Sequence, residues 1–163
     1  MAPSRPAPVH RLMVATDRSE SADYTVAWAA EMAARFDAEL HLLQVVVPQK
    51  PPGTEAGAAE ATKASYAAED LKRLAAELAG ERGRAMVVVD EDPSQAIVEA
   101  AAQMEVDVLV VGNVGMSGRK EFLLGNVPNR VSHNARCTVV IVNSAERPTE
   151  EPSGLGRLFR RDR

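Results

Sequence analysis

A glycine-rich stretch is the part of this sequence whose residue types and spacing best suit ligand chemistry. Four of the ten glycines fall close together there, at Gly112, Gly115, Gly118 and Gly125. Glycine permits positive φ and close approach of the backbone, and successive exposed N–H groups can form a concavity for an anion. The stretch therefore favours phosphate binding, although glycines that only make the turns of a flexible crossover are the alternative.

Charged and capping residues around this stretch point to the same chemistry. Asn126 is a good N-cap for a helix predicted over 126–135, where free N–H groups and the helix dipole attract negative charge. Arg119 and Lys120 lie inside the stretch and can add positive charge. The spacing is neither the GxxxxGK[ST] phosphate loop nor the GxGxxG fingerprint, both of which normally follow the first strand of a domain.

Other reactive residue types have simpler explanations. The acidic cluster 90–92 fits a solvated turn in which Asp92 caps a helix, more readily than a metal or phosphoacceptor site. Ser117, Ser132 and His133 have no partners in a triad-like pattern, so nucleophilic catalysis has no support. We therefore expect no catalytic residue among them.

Composition sets limits on the class of protein. One cysteine and three scattered histidines exclude an internal disulfide and a zinc cluster, and Cys137 is expected to be a packed or half-buried thiol. The net charge of −4 argues against non-specific nucleic-acid binding. The apolar runs are too short to span a bilayer and the first residues lack the apolar core of a secretion signal, so we expect a cytoplasmic protein.

Five short apolar runs alternate with helical patterns and predict the elements that position the glycine-rich stretch. The predicted strands span 10–16, 39–47, 84–90, 107–112 and 138–143. Continuous apolar runs are typical of strands buried on both faces of a parallel sheet. We therefore expect an α/β fold: a single doubly wound, Rossmann-like, five-stranded parallel sheet with helices on both faces and strand order 3-2-1-4-5. Ligands of such folds bind at the carboxyl ends of the strands, where strand order reverses.

Apolar spacing predicts the helices that cover this sheet. The inward stripes of the first two comprise Val26, Ala30, Ala33 and Phe36, then Ala64, Ala67, Leu71, Leu74 and Leu78. A third helix is predicted to begin with Asp92 as its cap, Pro93 in its first position and the Gln95 side chain reaching back to the cap. Its inward residues are predicted to be Ile97, Val98, Ala101 and Ala102.

Proline placement predicts the domain limits, because eight of the ten prolines lie in segments typical of linkers or loops. We expect 1–8 to be a disordered Pro-rich head, 9–144 to be the folded domain, and 145–163 to be a flexible tail with a basic end. Residues 154–163 combine four arginines with apolar residues at helical spacing. This end is either a disordered solubilising segment or a weak docking segment for an acidic partner or lipid surface.

The glycine spacing G-x2-G-x9-G, formed by Gly112, Gly115 and Gly125, resembles a motif of the universal stress protein family, in the subgroup whose G-x2-G-x9-G-[S/T] binds ATP. The surrounding letters GNVGMSGRKEFLLGNV and NRVSHNARCTVVIV are also similar to that family. The opening LMVATDRSESADYTVAWAAEMA resembles the first strand of the family, its Asp, its Ser-containing turn and its helix. The resemblance covers roughly 10–143.

The resemblance implies an adenine nucleotide as ligand, either ATP or ADP, AMP or cyclic AMP, with Mg2+ left open as its companion. It implies a homodimer through the last strand, Thr138–Asn143. The implied binding residues are Asp17, Val45 and Val46 for the adenosine, and Gly112, Gly115, Gly125 and the N–H groups of Asn126 and Val127 for the phosphates. From their place in the glycine-rich stretch, Gly118 and Arg119 are further candidates for phosphate binding. Asp17 has the alternative of only capping the helix that begins around Ser19.

Three departures from the family pattern bear on binding. Asn126 stands where the motif has Ser or Thr, so an amide replaces the hydroxyl that would contact phosphate or a metal-bound water. Pro128, in the second helical position if Asn126 is the cap, removes one N–H from the first turn. Arg18 stands where a small residue is common, and it either seals the nucleoside pocket or partly fills it.

Three functions compete on this evidence. The first is a stress-response module regulated by bound adenine nucleotide. The second is a slow ATPase or phosphotransferase, for which the sequence offers no clear general base near the loop. The third is a dimeric scaffold of the same fold without nucleotide binding, for which Arg18, Asn126 and Pro128 are the grounds.

Overall fold

The computed structural model describes residues 6–49, 57–113 and 126–144, and these form five strands and four α-helices. In chain order the elements are β1 (Arg11–Ala15), α1 (Glu20–Phe36), β2 (Glu39–Val46), α2 (Ala58–Ala79), β3 (Gly83–Val89), α3 (Pro93–Gln103), β4 (Val108–Gly112), α4 (Asn126–Asn134) and β5 (Thr138–Val142). A 3-10 turn, Gly80–Arg82, joins α2 to β3. Each strand agrees with its predicted run to within one residue at either end.

The strands form one parallel sheet in the order β3-β2-β1-β4-β5. The chain runs outward from β1 through β2 to β3, and then returns to the other side of β1 to add β4 and β5. Strand order therefore reverses between β1 and β4. The predicted α/β fold and strand order are confirmed.

The helices cover both faces of the sheet because successive strand residues point to opposite sides. In β1, Leu12 and Val14 pack with the residues of α1 and α2, whereas Met13 packs with those of α3 and α4. The central strands are nearly all apolar because both of their faces lie in the core. The helix that follows β1 therefore lies on one face of the sheet, and the helix that follows β4 lies on the other.

The longest helix, α2, follows its predicted stripe. Leu71 and Leu74 are buried, and Ala64, Ala67 and Leu78 are half-buried on the same side. The opposite side is polar, as expected for a helix that covers an outer part of the sheet. In the described parts of the chain, no helix combines the length and the apolar character that crossing a membrane requires.

Two predicted inward residues lie on the surface instead. Phe36 is 46% exposed, because α1 ends there and the chain turns through Asp37 in the left-handed region (φ 56°). Ala102 is exposed, whereas Ala96 and Ala100 are buried. The stripe of α3 is rotated by part of a turn from its predicted position, because a helix rich in alanine gives a weak directional signal.

The start of α3 confirms Asp92 as its cap but not the role of Gln95. The carboxylate Oδ1 of Asp92 accepts hydrogen bonds from the backbone N–H of Ser94 (3.1 Å) and of Gln95 (3.2 Å). The Gln95 side chain does not reach back, since its Nε2 donates to Glu99 Oε1 (2.7 Å). The backbone N–H of Asp92 donates instead to Asp90 Oδ1 (2.7 Å), so two acidic residues build the turn and the cap, as expected.

Candidate functional site

The carboxyl ends of β1, β2 and β4 lie at the same edge of the sheet, because all the strands are parallel. The chain leaves β1 toward α1 on one face and leaves β4 toward α4 on the other. Diverging loops at such a reversal of strand order open a crevice, which is where ligands of doubly wound folds bind. The predicted site residues that the structure describes lie just after β1, at the ends of β2 and β4, and at the start of α4.

The pairing of β1 with β2 brings Asp17 to the end of β2. The last paired residues are Ala15 and Leu43, and the backbone N–H of Thr16 still donates to the carbonyl of Leu43 (2.9 Å). Continuing this register by two residues beyond the last pair sets Asp17 beside Val45. Val45 packs against the core on the α3 and α4 face, so this part of β2 offers mainly its backbone to the crevice. Val46, the last residue of β2, is half-buried.

Asp17 shapes the turn into α1 rather than capping the helix. It is exposed, and its Oδ1 accepts a hydrogen bond from the backbone N–H of Ser19 (2.9 Å). The cap itself is Ser19, whose Oγ accepts from the backbone N–H of Ala22 (3.3 Å). The carboxylate of Asp17 thus lies at the mouth of the crevice with its orientation fixed by the turn.

Arg18 lies against α1. Its backbone adopts the left-handed conformation (φ 61°), which explains why a small residue would suit this position. Its Nη1 lies 2.9 Å from Asp23 Oδ1, and both side chains are only 16% exposed. The guanidinium therefore packs on the first turns of the helix that follows β1.

The helix α4 begins at Asn126, so this residue is one position inside the helix and not its cap. The prediction of Asn126 as cap is therefore wrong, because a cap residue lies outside the helical turns; the residue before Asn126 lies outside the described part of the chain. Pro128 then occupies the third helical position, and its ring is buried. The backbone N–H groups of Asn126 and Val127 point toward the N-terminal end of α4, at the carboxyl edge of the sheet. The Val127 side chain packs against the core, so any contact it makes with an anion is through its backbone.

The register of β4 places Gly112 near the same point. Val14 pairs with Val110, so Gly112 falls beside Thr16 when the register is continued. The next residue, Asn113, fixes the start of the glycine-rich stretch. Its Nδ2 donates to Asn143 Oδ1 (3.0 Å), and its Oδ1 accepts from the backbone N–H of Ser144 (3.0 Å). The stretch thus leaves β4 from a fixed point.

An ion pair fixes the other side of the stretch. Arg130, one turn into α4, makes two hydrogen bonds to Asp92, the cap of α3: Nη1 to Oδ1 at 2.8 Å and Nη2 to Oδ2 at 2.7 Å. The hydrogen bond from Arg130, together with the N–H of Gln95, holds the pKa of Asp92 below its usual value, and the same pair raises the pKa of Arg130.

The remaining candidate residues, Gly115, Gly118, Arg119 and Gly125, lie outside the described residues. Within the described ranges, no group of three or more His, Cys, Asp or Glu side chains is arranged to hold a metal ion. The described geometry of the site is therefore that of the residues before and after 114–125.

Sequence reasoning missed the partners of Asn113 and Arg130. A long side chain one turn into a helix leans back toward its N-terminus, which is a signal for Arg130. The identity of Asp92 as its partner, 38 residues away, has no signal in the local pattern. The local pattern gave no signal for the partners of Asn113 either, because Asn143 and Ser144 follow a different strand, β5.

Cys137 is half-buried as predicted, at the opposite edge of the sheet. Burial raises the pKa of its thiol, and the charge of Asp107 acts in the same direction. A thiol with a raised pKa is a poor nucleophile at neutral pH. Cys137 is therefore a packing residue.

Comparison with known protein families identifies the family of this chain. The model of the universal stress protein family matches residues 8–143. The chain belongs to the universal stress protein family. A universal stress protein of Mycobacterium tuberculosis is 33% identical over 141 residues, which are 82% of this chain and 95% of that one.

Solved structures of the family share the fold. A universal stress protein in complex with cAMP is 30% identical, with a TM-score of 0.62 over 85% of this chain and all of the other. The universal stress protein UspA from Lactobacillus plantarum has a TM-score of 0.72 at 22% identity, over 85% of this chain and all of the other. At 22% identity, the likeness to UspA shows the fold alone.

Proposed function

We propose that this universal stress protein binds ATP, or a related adenine nucleotide such as ADP, AMP or cyclic AMP, as a regulatory module of a stress response. The observation that carries the proposal is the convergence of Asp17, the end of β2, Gly112 and the start of α4 at the reversal of strand order. The adenosine would lie near Asp17, Val45 and Val46, and the phosphates near Gly112 and the first turn of α4. The cAMP complex of the 30% identical family member supports the class of ligand.

The chemistry of these residues suits such a ligand. The N–H groups of a first helical turn and the helix dipole attract phosphate even in a chain with a net charge of −4. The fixed carboxylate of Asp17 can accept hydrogen bonds from a ribose hydroxyl or an exocyclic amine. The N–H groups of α4 and the carboxylate of Asp17 can bind a nucleotide by hydrogen bonds. We therefore propose that the protein acts through having nucleotide bound, rather than through turning it over.

A calorimetric titration tests the proposal directly. ATP, ADP, AMP and cyclic AMP are titrated separately into the full chain, each with and without Mg2+, and heated, deproteinised protein is examined for released nucleotide. Binding of at least one nucleotide, or its release from the purified protein, is expected. Failure of all four to bind, together with no released nucleotide, would overturn the proposal.

A substitution at Asp17 tests the location of the nucleotide. Asp17→Asn keeps an oxygen for the Ser19 N–H and removes the charge, so the turn should persist. Adenosine and ATP affinities should both fall about tenfold, since a hydrogen bond to a charged group is lost. Glu69→Gln on the exposed side of α2 makes the same charge change far from the crevice and should bind as the wild type does. Equal affinity of both variants would exclude Asp17 from the site.

We also propose a homodimer through β5. This strand pairs only with β4 among the described elements, and its residues are strongly β-forming, with Ile141 37% exposed. An unprotected edge of this kind favours pairing with another strand. An open groove of about 1330 Å3, lined in part by Trp28, Cys137 and Val140, adjoins the same strand.

Sedimentation velocity tests this assembly with a matched pair of variants. Ile141→Lys on β5 should shift the protein toward monomer, because an unpaired charge opposes strand pairing. Val89→Lys on β3, the other edge strand, changes a residue of similar exposure (39%) and should leave the dimer intact. A wild-type monomer, or equal effects of the two variants, would contradict a dimer through β5.

A dimeric scaffold without nucleotide is the second candidate. It is favoured by the side chain of Arg18, packed on α1 beside the crevice, and by Asn126 in place of the hydroxyl residue of the family motif. A stable dimer that binds none of the four nucleotides would select this function.

A further inference from the structure

One carboxylate joins the beginnings of two helices. Asp92 accepts two N–H groups at the start of α3 and, at the same time, both guanidinium nitrogens of Arg130 in α4. Two parallel hydrogen bonds fix direction as well as distance, which a single contact does not. The start of α4 is thereby tied to the start of α3 at the carboxyl edge of the sheet.

The helix α4 is short and packs through few side chains. Its nine described residues include two buried ones, Pro128 and Val131, and the half-buried Val127, which packs against the same core. Apolar packing of this kind fixes where a helix lies more firmly than it fixes the direction of its axis, so a hydrogen-bonded pair adds directional restraint. The Arg130 side chain leans toward the N-terminus, so its pairing with Asp92 restrains the first turn, where the phosphates are proposed to bind.

We propose that Asp92 and Arg130 are positioning residues for the nucleotide phosphates, fixing the direction in which the first turn of α4 presents its N–H groups to the crevice. This inference rests on the proposed nucleotide binding. Arg130 acts through the helix while its guanidinium stays on Asp92, so phosphate affinity depends on the pair rather than on the charge of Arg130 alone.

The test compares ATP with adenosine, which lacks phosphates. Calorimetric titrations of the full chain are made for Arg130→Gln, Asp92→Asn and the double variant, with thermal unfolding measured without ligand. Asparagine is also a good N-cap, so Asp92→Asn preserves the start of α3. The controls Arg73→Gln and Asp70→Asn remove the partners of an exposed ion pair in α2.

Each single variant should weaken ATP binding about fivefold, as expected for an exposed pair, and leave adenosine binding unchanged. The double variant should bind ATP no more weakly than either single variant, because both remove the same restraint. Arg130→Lys, which keeps the charge but loses the paired geometry, should bind ATP with intermediate affinity. The α2 controls should bind both ligands as the wild type does.

Several results would overturn the inference. Tighter ATP binding by Asp92→Asn would show that Arg130 is itself a phosphate ligand restrained by Asp92. An equal loss of ATP and adenosine affinity would show general destabilisation, and unchanged affinities would show that the pair is not used. A wild-type protein that binds neither ligand defeats the proposed function and this inference together, whereas a wild type that binds ATP no better than the variants defeats this inference alone.

Discussion

The two ends of the sheet use their polar residues differently. At the amino ends of the strands, charged side chains are paired with one another and with the backbone. Asp107 Oδ2 accepts the N–H groups of His10 (2.8 Å) and Arg11 (2.9 Å), which ties the start of β4 to the start of β1. Glu39 Oε2 lies 3.1 Å from His41 Nε2, and its Oε1 lies 3.3 Å from Arg84 Nη2. The Asp107 and Glu39–Arg84 contacts join neighbouring strands, whereas Glu39 and His41 belong to the same strand.

At the carboxyl ends, polar residues shape loops and helix starts instead. All four α-helices begin on this side, so the positive ends of their dipoles lie along the edge that contains the crevice. Arg18 accepts a strained backbone there, and Asp17 and Asn113 hold loops in place. We infer that the amino end mainly stabilises the fold and the carboxyl end mainly binds ligand, so substitutions at the two ends should separate stability from affinity.

The largest loss of stability is expected at Gly83, the first residue of β3. A Cβ added there would lie 2.1 Å from the backbone oxygen of Ala75 in α2, so the helix and strand would have to move apart. Gly83→Ala should lower the free energy of unfolding by about 3 kcal/mol, measured by urea denaturation, with ATP affinity of the folded protein unchanged. Gly57→Ala, whose Cβ meets only ordinary contact at 3.5 Å, is the control. Equal losses for the two variants would disprove the close-contact argument.

Asp107→Ala should cause the next largest loss. It leaves two backbone N–H groups at the start of β1 without their acceptor, which costs about 2 kcal/mol of unfolding free energy. Glu105→Ala, which removes an exposed carboxylate that pairs with Arg11, should cost less than about 0.5 kcal/mol. Nucleotide affinity should be unchanged in both. A loss of affinity in Asp107→Ala would break the proposed division between the two ends.

Stability should fall at acid pH, with contributions from both ends. The hydrogen bond with His41 lowers the pKa of Glu39. Burial of the carboxylate opposes this effect, and the charge of Arg84 adds to it. Burial opposes the effect at Asp107, but the N–H groups of Arg11 and His10 still lower its pKa. The pKa of Asp92 is lowered mainly by its hydrogen bond to Arg130.

Because the folded state binds these protons more weakly than the unfolded state, the stabilisation is present above the ordinary carboxyl pKa of about 4. It should be lost as pH falls through the lowered values. Urea denaturation between pH 7 and pH 2 measures this slope, and Glu39→Gln should flatten it. A slope that Glu39→Gln leaves unchanged would contradict the assignment at the amino end.

The smallest effect is expected at Arg18. Arg18→Gly relieves a left-handed conformation worth about 1 kcal/mol, but it loses the Asp23 pair and adds entropy to the unfolded chain, so stability should change by less than about 1 kcal/mol. Adenosine affinity should stay within about twofold, since the guanidinium lies on α1. Asp23→Ala keeps the strained backbone and removes the partner, so it should be the more destabilising variant in thermal unfolding. A large gain in adenosine affinity for Arg18→Gly would show that Arg18 fills the pocket.

Local pattern was enough to predict most of the fold. The five strands follow from continuous apolar runs, and the Asp92 cap follows from the residue types at the start of α3. Prediction failed where the side chain carried little information, as at Ala102, or where an element ended, as at Phe36 and Asn126. That the segments after β1, β2 and β4 form the site stays a prediction, and sequence reasoning did not find the contacts made by Asn113 and Arg130 beside them.

The sequence by itself determined the strands and the parallel α/β character of their sheet, and it led to the prediction that a ligand binds at the carboxyl edge. These depend on residue periodicity over a few positions and on the handedness of crossovers between neighbouring elements. Only the tertiary structure decided that Arg130 pairs with Asp92, that Asn113 meets Asn143 and Ser144, and that Arg18 turns to α1. The contacts of Arg130 and of Asn113 join residues 30 to 38 positions apart in the chain. They can form only after the helices have packed on the sheet and brought these residues together.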